Sequence, residues 1–402
     1  MTFLVIDNGS YNIKAGIDNV QKVQNCISRA RDGTVYIGND YLPVPNAYSG
    51  LITKRPIDQG HLTSWEIEKP IWDYTLEKID RRLDPLQLSL LLTEQPYQLP
   101  QLSMNTDQIV FEEYGFQEYY RCIPAALVPW AQSASISTEE GYVDDFELVI
   151  DSGFQATWIV PMIYQNVYWN GIKKLPIGGN LLNGLLRETI SFRHYDMTEE
   201  PILINTIKEN ALFMAKDFNK ALKEKVTCDF VLPDFKTTTT GYVKKPNEKL
   251  PNDTQVLRLS DERFVIPETF YHPERIFDNS TAYSKLSTIQ EANLKNITDL
   301  VIDSIMECPE VSRPLLSANI SLVGGNINIP NFKHRLVDEL KKELPSEYSV
   351  NVKQRSYKPE DVAWNGGVSL SQADVMDNLK VTKKEYFEHG ANWCQKQFGF
   401  KR

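Results

Sequence analysis

Two segments of the same pattern constrain the fold of this chain more than any other feature of its sequence. Residues 3–16 place four apolar side chains before Asp7, then a turn at Asn8-Gly9, then a second apolar run. Residues 148–161 repeat that order around Asp151, 144 positions later. An apolar run that stops at a turn and then resumes predicts a buried strand followed by a returning strand.

The turn of the first segment suggests phosphate binding. Asn8-Gly9 predicts a two-residue hairpin with positive φ angles and bare backbone N–H groups at its tip. Such donors, with Ser10 and Lys14 beside them, can hold a phosphate, and Asp7 can hold Mg²⁺ through water. Asn-Gly hairpins are also common as simple turns, so a purely structural turn is the alternative at this point.

Duplication at a domain-sized spacing predicts two similar halves that each present one turn to a shared cleft. A third turn, at Gly324 and Gly325, follows the strand-like residues 320–323. It precedes a helical pattern over residues 331–344, so its backbone can approach a ligand closely. Two aspartate hairpins and a later double-glycine turn form a specific combination.

This combination resembles the actin superfamily. Residues 7–16 resemble its first phosphate loop, residues 149–153 its second, and residues 323–326 its adenosine loop. Further segments resemble actin in the same order over nearly the whole chain: 55–60, 65–72, 92–96, 207–210, 230–234 and 262–268. The resemblance implies an α/β, actin-like two-lobed fold, with duplicated ribonuclease-H-like domains, mixed sheets flanked by helices, and a central nucleotide cleft.

The resemblance also implies a domain organisation. Residues 1–142 would form the first lobe, including a small outer subdomain at about residues 19–62. Residues 143–358 would form the second lobe, including an outer subdomain at about residues 178–262, and residues 359–402 would return to the first lobe.

Two segments of the second lobe have a local interpretation. Residues 236–255 look like an insertion that is too polar to pack, either a tolerated surface loop or a partner-docking loop. Residues 256–270 have a strand pattern.

The cofactor implied by the resemblance is ATP or ADP with Mg²⁺. Matching the family's motif position by position assigns ten nucleotide-binding residues: Asp7, Gly9, Ser10, Lys14, Asp151, Gly153, Lys208, Glu209, Gly324 and Gly325. The last four would form the base and ribose side. No catalytic residue and no direct metal ligand is assigned.

The chain departs from the family where water would be activated. Pro124, Trp158 and Phe154 occupy the places of a Gln, a His and an Asp, and none of the three can orient water in the same way. On the base side, Ile329 replaces a Tyr and Glu360 lies near the place of a Lys. These departures predict slow or absent hydrolysis, with any bound nucleotide acting as a structural wedge between the lobes.

Composition excludes several other functions. The net charge is −10 and no run of adjacent basic residues is longer than a pair, which predicts no independent DNA-binding surface, although a DNA or histone contact within an assembly stays open. There is no long apolar run for a membrane span and no space for a signal peptide before the first strand. Five scattered cysteines predict a reducing, intracellular compartment. The chain lacks the His-Glu-x-x-His, Gly-x-Ser-x-Gly and Walker motifs.

Four segments resemble one branch of the superfamily, the nuclear actin-related protein 6 subfamily: residues 191–197, 230–235, 266–274 and 381–390. This implies a nuclear location, with the cytoplasm as a second one, and membership of a SWR-C type remodeller that places a variant histone into nucleosomes. The implied partners are the motor ATPase, a zinc-HIT subunit and other subunits of the complex, with nucleosomes or histones contacted indirectly. The short stretch between Arg31 and Arg55 argues against a filament former. The alternative is an active actin-like ATPase or filament-forming cytoskeletal protein.

Overall fold

The computed structural model describes residues 2–42, 50–131, 145–224, 226–234, 240–274 and 295–399. The strands in the first half of the chain are β1 (Phe3–Asn8), β2 (Asn12–Gly16), β3 (Gln21–Gln24), β4 (Ile27–Arg29), β5 (Val35–Ile37), β6 (Ile52–Lys54), β7 (Ile57–Asp58), β8 (His61–Leu62), β9 (Ser89–Thr93) and β10 (Glu118–Cys122). The later strands are β11 (Phe146–Ser152), β12 (Thr157–Ile163), β13 (Asn166–Val167), β14 (Lys173–Leu175), β15 (Cys228–Val231), β16 (Tyr242–Val243), β17 (Val256–Leu259), β18 (Ile320–Val323) and β19 (Val381–Thr382).

Helices flank these strands. The first seven are α1 (Trp65–Ile79), α2 (Pro100–Gln108), α3 (Pro124–Leu127), α4 (Gly179–Arg193), α5 (Pro201–Ala211), α6 (Phe218–Glu224) and α7 (Glu262–Val265). The next seven are α8 (Ile297–Glu307), α9 (Arg313–Ala318), α10 (Phe332–Glu343), α11 (Val362–Ser371), α12 (Met376–Leu379), α13 (Lys383–His389) and α14 (Ala391–Phe398). The helix predicted for residues 331–344 is confirmed as α10.

Two large sheets share one internal arrangement. The first has the strand order β19-β10-β9-β1-β2-β3, and the second has the order β13-β12-β11-β18 with β14 also paired to β12. In the first sheet β1 is antiparallel to β2 and parallel to β9. In the second, β11 is antiparallel to β12 and parallel to β18. The mixed sheets and flanking helices agree with the predicted two-lobed α/β fold.

Residue pairing shows the same duplication. Asp7 lies opposite Lys14 in the β1–β2 ladder, and Asp151 lies opposite Trp158 in the β11–β12 ladder. Each aspartate is thus paired with the residue seven positions further on. The two hairpins are therefore equivalent in register as well as in sequence pattern.

The predicted two-residue turn at Asn8-Gly9 is wrong. Strand β1 continues through Asn8 and β2 begins only at Asn12, and neither Asn8 nor Gly9 has a positive φ angle. Glycine is needed at position 9 because a Cβ there would lie 2.5 Å from the Asn12 carbonyl oxygen. Its N–H is not bare, since it donates to the Asp7 carbonyl oxygen.

Two further interpretations of the second lobe need correction. Residues 256–270 are a strand only as far as Leu259, after which the backbone turns into α7 and a short 3₁₀ helix. Pro267, which has no N–H for a sheet ladder, begins that 3₁₀ helix. The insertion at residues 236–255 is not only a loop, because β16 pairs with β15, while residues 236–239 lie outside the described residues.

The C-terminal residues pack against the first sheet. Strand β19 pairs with β10 at the edge of that sheet, and α11 contacts both β1 and α3. The Trp364 indole N–H donates to the Val5 carbonyl oxygen at 3.2 Å. The proposed limits of the lobes stay predictions, and the limit between residues 142 and 143 lies outside the described residues.

The apolar core is divided in the same way as the sheets. One cluster fills the second lobe around β11, β18 and α4, and another fills the first lobe around β1, β9 and α1. A third cluster combines side chains from both lobes: Ile123, Val128, Val149, Val160, Val323 and Val362. This shared cluster joins the two lobes.

Candidate functional site

The ten residues predicted to bind nucleotide all line one cleft of about 530 Å³ between the two sheets. The residues that depart from the family pattern line the same cleft: Pro124, Phe154, Trp158, Ile329 and Glu360. The structure therefore brings together the turns that match the family pattern and the substitutions that set this chain apart.

At the first hairpin, a buried ion pair forms the floor of the cleft. The Lys14 ammonium lies 2.6 Å from Asp7 Oδ2, and the Thr93 hydroxyl donates to Asp7 Oδ1 at 2.8 Å. Burial alone lowers the pKa of Lys14, but the charge and hydrogen bond of Asp7, with the charge of Asp151, raise that pKa overall. Lys14 therefore stays an ammonium group that can meet a phosphate.

At the second hairpin, Asp151 occupies the position equivalent to Asp7 but faces a different electrostatic setting. Burial raises its pKa to about 6, with the nearby charge of Asp7 acting in the same direction and Lys14 opposing both. Each oxygen of Asp7 accepts a hydrogen bond and has a further lone pair, so both Asp7 and Asp151 could take part in holding Mg²⁺ through water.

The third turn is built by close backbone contact. Gly324 has a φ of 94°, and a Cβ at this position would lie 2.3 Å from the Ser152 carbonyl oxygen. Asn326 ties this turn to the second hairpin, because its amide donates to Ser152 Oγ at 3.1 Å and to the Gly153 carbonyl oxygen at 2.8 Å. Gly325 has open space around it.

On the opposite wall, α5 supplies Lys208 and Glu209. The Lys208 ammonium donates to Asn205 Oδ1 at 2.8 Å, and the Asn205 amide donates to Glu209 Oε1 at 2.8 Å. Burial lowers the pKa of Lys208 to about 8, with Glu209 opposing this effect. Lys208 remains mainly charged at neutral pH, and an anionic ligand would favour that form.

The base side differs from the family pattern in charge. Ile329 is buried, and Glu360 accepts a hydrogen bond from the Asn328 amide at 2.9 Å. Burial opposes ionisation of Glu360, but this hydrogen bond and the charge of Lys22 lower its pKa overall. A carboxylate therefore stands where the family offers a cation.

The three positions where the family activates water hold Pro124, Trp158 and Phe154 in this chain. Pro124 begins α3 and has neither an N–H nor a polar side chain. The Phe154 ring packs on Tyr11 at a centroid distance of 4.9 Å, and the Lys174 ammonium lies 5.0 Å from the centroid of the Trp158 ring. None of these three side chains can orient a water molecule as a Gln, a His and an Asp would, since Pro and Phe have no polar side-chain group and Trp has only a donor.

The residues present fit a phosphate chain better than a dedicated metal site. Gly9 and Gly324 line the cleft without side chains, and Lys14 supplies a charged donor. Within the described part of the chain, no three His, Cys, Asp or Glu side chains group as metal ligands. A nucleotide's own phosphates would have to supply ligands to any Mg²⁺ held beside Asp151.

Across the described residues, no helix is long and apolar enough to cross a membrane.

Replacement of Lys14 tests its predicted role. The Lys14→Met variant is expected to bind Mg-ADP roughly 10- to 100-fold more weakly, because a charge-assisted hydrogen bond to phosphate is lost. Isothermal titration calorimetry measures the change, and Lys173→Met is the control because Lys173 pairs with Glu307 away from the cleft. Equal affinity for Mg-ADP in the two variants would show that Lys14 does not contribute to nucleotide binding.

Glu68 was not predicted as part of the site, although it supports the first hairpin from below. It is fully buried on α1 and accepts a hydrogen bond from the Trp72 indole N–H at 2.9 Å. Asn25 links it to the cleft, since the Asn25 amide contacts Glu68 Oε1 and donates to the Gly9 carbonyl oxygen. No sequence motif marks this group, because its members come from separate segments.

The burial of Glu68 predicts a pH-dependent stability. Burial raises its pKa to about 7, so between about pH 4.5 and pH 7 the folded chain holds a proton that the unfolded chain releases. Stability from this group therefore falls as pH rises through that range. At pH 8 we expect the free energy of unfolding of Glu68→Gln to exceed that of wild type by on the order of 2 kcal/mol, which also raises its unfolding temperature. Near pH 4.5 we expect this difference to disappear.

Thermal unfolding followed by circular dichroism from pH 4.5 to pH 8 measures this difference. Glu66→Gln, at an outward-facing position of the same helix, is the matched control and should show no such trend. A constant difference between Glu68→Gln and wild type at all pH values would contradict the assignment.

Comparison with known proteins agrees with this geometry. The family model described as actin matches residues 1–399. An actin-like protein ARP6 from Debaryomyces hansenii is 60% identical over 408 residues, which cover 99% of this chain and 98% of the relative. Proteins of the same name from Candida albicans and Saccharomyces cerevisiae are 53% and 36% identical, each with 99% of this chain and 98% of the relative covered.

Proposed function

This chain belongs to the actin family, and on that premise we propose that it is a structural subunit that holds a nucleotide without hydrolysing it. One observation carries the proposal. The same cleft is lined by the turns around Lys14 and Gly324, which match the family's first phosphate loop and adenosine loop, and by Pro124, Phe154 and Trp158 in place of the water-orienting residues.

In this proposal the residues of the cleft hold ATP or ADP between the lobes. Lys14 and the first turn would meet the phosphates, Asp151 would lie beside Mg²⁺, and Lys208, Glu209 and the Gly324-Gly325 turn would line the base and ribose side. The nucleotide would supply contacts to both lobes at once. It would stabilise their closed arrangement only as far as its concentration exceeds its dissociation constant.

We further propose that the chain serves a nuclear, ATP-dependent chromatin remodeller of the SWR-C type, which exchanges a variant histone into nucleosomes. Support comes from the four segments that resemble the nuclear actin-related protein 6 subfamily. Two of them present large apolar side chains to solvent, with Phe192 91% and Phe387 61% exposed. Exposed aromatic side chains are typical of surfaces that bind protein partners.

The partners in this proposal are the motor ATPase, a zinc-HIT subunit and further subunits, with nucleosomes contacted indirectly. The motor would supply the energy of remodelling, and this chain would position other subunits. The competing function is an actin-like ATPase or filament former, for which Asp151, with its raised pKa of about 6, is the remaining candidate base.

Purification of the tagged full chain from nuclear extract tests the assembly. The proposal expects the motor ATPase and a zinc-HIT protein to be recovered in stoichiometric amounts. Recovery without any remodeller subunit, or sedimentation of the purified chain as filaments in Mg-ATP, would contradict it.

A further inference from the structure

The space between the two hairpin turns is bridged by side chains from both lobes. Tyr11, in the first turn, packs on Phe154 of the second turn with ring centroids 4.9 Å apart. The Arg55 guanidinium covers both rings, at 4.6 Å from the Tyr11 centroid and 5.1 Å from the Phe154 centroid. We call these three residues the cross-cleft clamp.

The clamp is anchored on the side of the first lobe. Arg55 Nη1 donates to the carbonyl oxygens of Ser10, Tyr11 and Asn25 at 3.2, 3.0 and 3.1 Å. These bonds hold the guanidinium against the first turn, so its stacking on Phe154 connects a fixed group of one lobe to the other. Cation–π and aromatic contacts of this kind favour the closed arrangement directly.

Further contacts join the lobes beyond the clamp. The Gln155 amide donates to the Ile57 carbonyl oxygen at 3.4 Å, and Arg31 forms an ion pair with Glu199 at 2.6 Å. Tyr41 and Leu51, both buried, pack with Ile202 of α5. The exposed Arg31–Glu199 pair contributes little by itself, whereas the apolar contact buries surface from both outer subdomains.

From these contacts we propose that Tyr11, Phe154 and Arg55 are positioning residues that hold the cleft closed without a ligand and slow the entry and release of nucleotide. This inference deepens the proposed function and rests on it for the identity of the ligand. Tyr11 and Phe154 each belong to a turn that lines the cleft, so separation of the rings separates the two phosphate-holding turns. A nucleotide therefore exchanges only when the clamp opens.

Phe154→Ala removes the second-lobe half of the clamp and leaves its backbone in place. Phe213→Ala is the matched control, because Phe213 also stacks under an arginine, with Arg263 at 5.0 Å, but within the second lobe and away from the cleft. Release of fluorescently labelled ADP is measured by chase with unlabelled ADP. We expect release to be about tenfold faster in Phe154→Ala and unchanged in Phe213→Ala.

A second measurement needs no nucleotide. Spin labels on Val35→Cys and Thr198→Cys, at exposed positions of the two outer subdomains, report the distance between the lobes by pulsed electron resonance. The ligand-free parent should give one short, narrow distribution, Phe213→Ala the same one, and Phe154→Ala a longer and broader one. This distance measurement tests the clamp independently of nucleotide binding. Absence of ADP binding would refute the proposed nucleotide site, and the distances would still test the clamp. Identical distances in Phe154→Ala and the parent would overturn the clamp.

Discussion

The Arg121→Met variant is expected to lose about 3–5 kcal/mol in free energy of unfolding. Arg121 is only 2% exposed and makes two hydrogen bonds to Asp107, at 3.0 and 3.1 Å, and an ion pair with Glu94. Its removal leaves the buried carboxylate of Asp107 and the half-buried carboxylate of Glu94 without a cation. Burial already raises the pKa of Asp107 to about 6, and the loss of Arg121 removes the main effect that opposes this rise.

Chemical denaturation at pH 7.5 measures the loss, and Arg258→Met is the matched control. Arg258 also makes two hydrogen bonds to one carboxylate, that of Asp229, but the pair lies at the surface and should contribute little. At pH 5, protonation neutralises the unpaired carboxylates of the variant. The difference in free energy of unfolding between Arg121→Met and wild type should therefore be smaller than at pH 7.5. A small loss for Arg121→Met, equal to that of the control, would show that the buried triad is not a stabilising unit.

The Gly324→Ala variant is expected to lose about 2–4 kcal/mol in free energy of unfolding and most of its affinity for nucleotide. Two effects combine at this position. Its φ of 94° is strained for alanine, and the new Cβ would lie 2.3 Å from the Ser152 carbonyl oxygen. The contact must push the third turn away from the second hairpin, which changes the shape of the cleft.

Gly325→Ala provides a close control, because it makes the same substitution at the next residue. A Cβ on Gly325 meets no atom within 4 Å, and its φ is not positive. Unfolding of the two variants is measured side by side, and ADP binding of Gly324→Ala is compared with wild type, because Gly325 also lines the cleft. Similar stability of the two variants would contradict the view that Gly324 sets the distance between the third turn and the second hairpin.

Much of the fold was predictable because it is encoded in local, repeated patterns. The two aspartate hairpins indicated the duplication, and the structure pairs Asp7 with Lys14 and Asp151 with Trp158 in equivalent positions. The ten assigned residues all reach the same cleft. They were assigned by matching the actin family's motif position by position, so the family resemblance carried that information, including for Lys208 and Glu209 on α5.

Contacts between distant segments were not predictable in this way. Arg121, Asp107 and Glu94 belong to a strand, a helix and a loop, and only the packing of α2 against the sheet makes them one group. The clamp of Tyr11, Phe154 and Arg55 joins separate segments in the same manner. In both cases no spacing rule applies, since the partners meet only after the lobes have formed.

Turn details and polar insertions also escaped prediction. Asn8-Gly9 has the composition of a tight hairpin, yet the ladder continues through Asn8 and the turn is longer. The polar insertion contributes β16 because β15 offers an edge for pairing, and a short segment can gain backbone hydrogen bonds whatever its side chains are. Tertiary context decided the outcome at both places.

In the proposed function, the cleft holds nucleotide without hydrolysing it. If the lobes are held together by the clamp and by a resident ligand, the surface of the chain is a fixed platform for partners. An enzyme that opened and closed with each turnover would present a changing surface. Hydrolysis by the isolated chain therefore separates the two views.

Single-turnover release of phosphate from Mg-ATP by an excess of the purified chain tests this most directly, with Lys14→Met and Asp151→Asn assayed in parallel. A nucleotide-holding subunit is predicted to bind ATP and to release phosphate no faster than either variant. The proposed function would be contradicted if wild type released phosphate faster than the variants and if Asp151→Asn lost this release while still binding ATP.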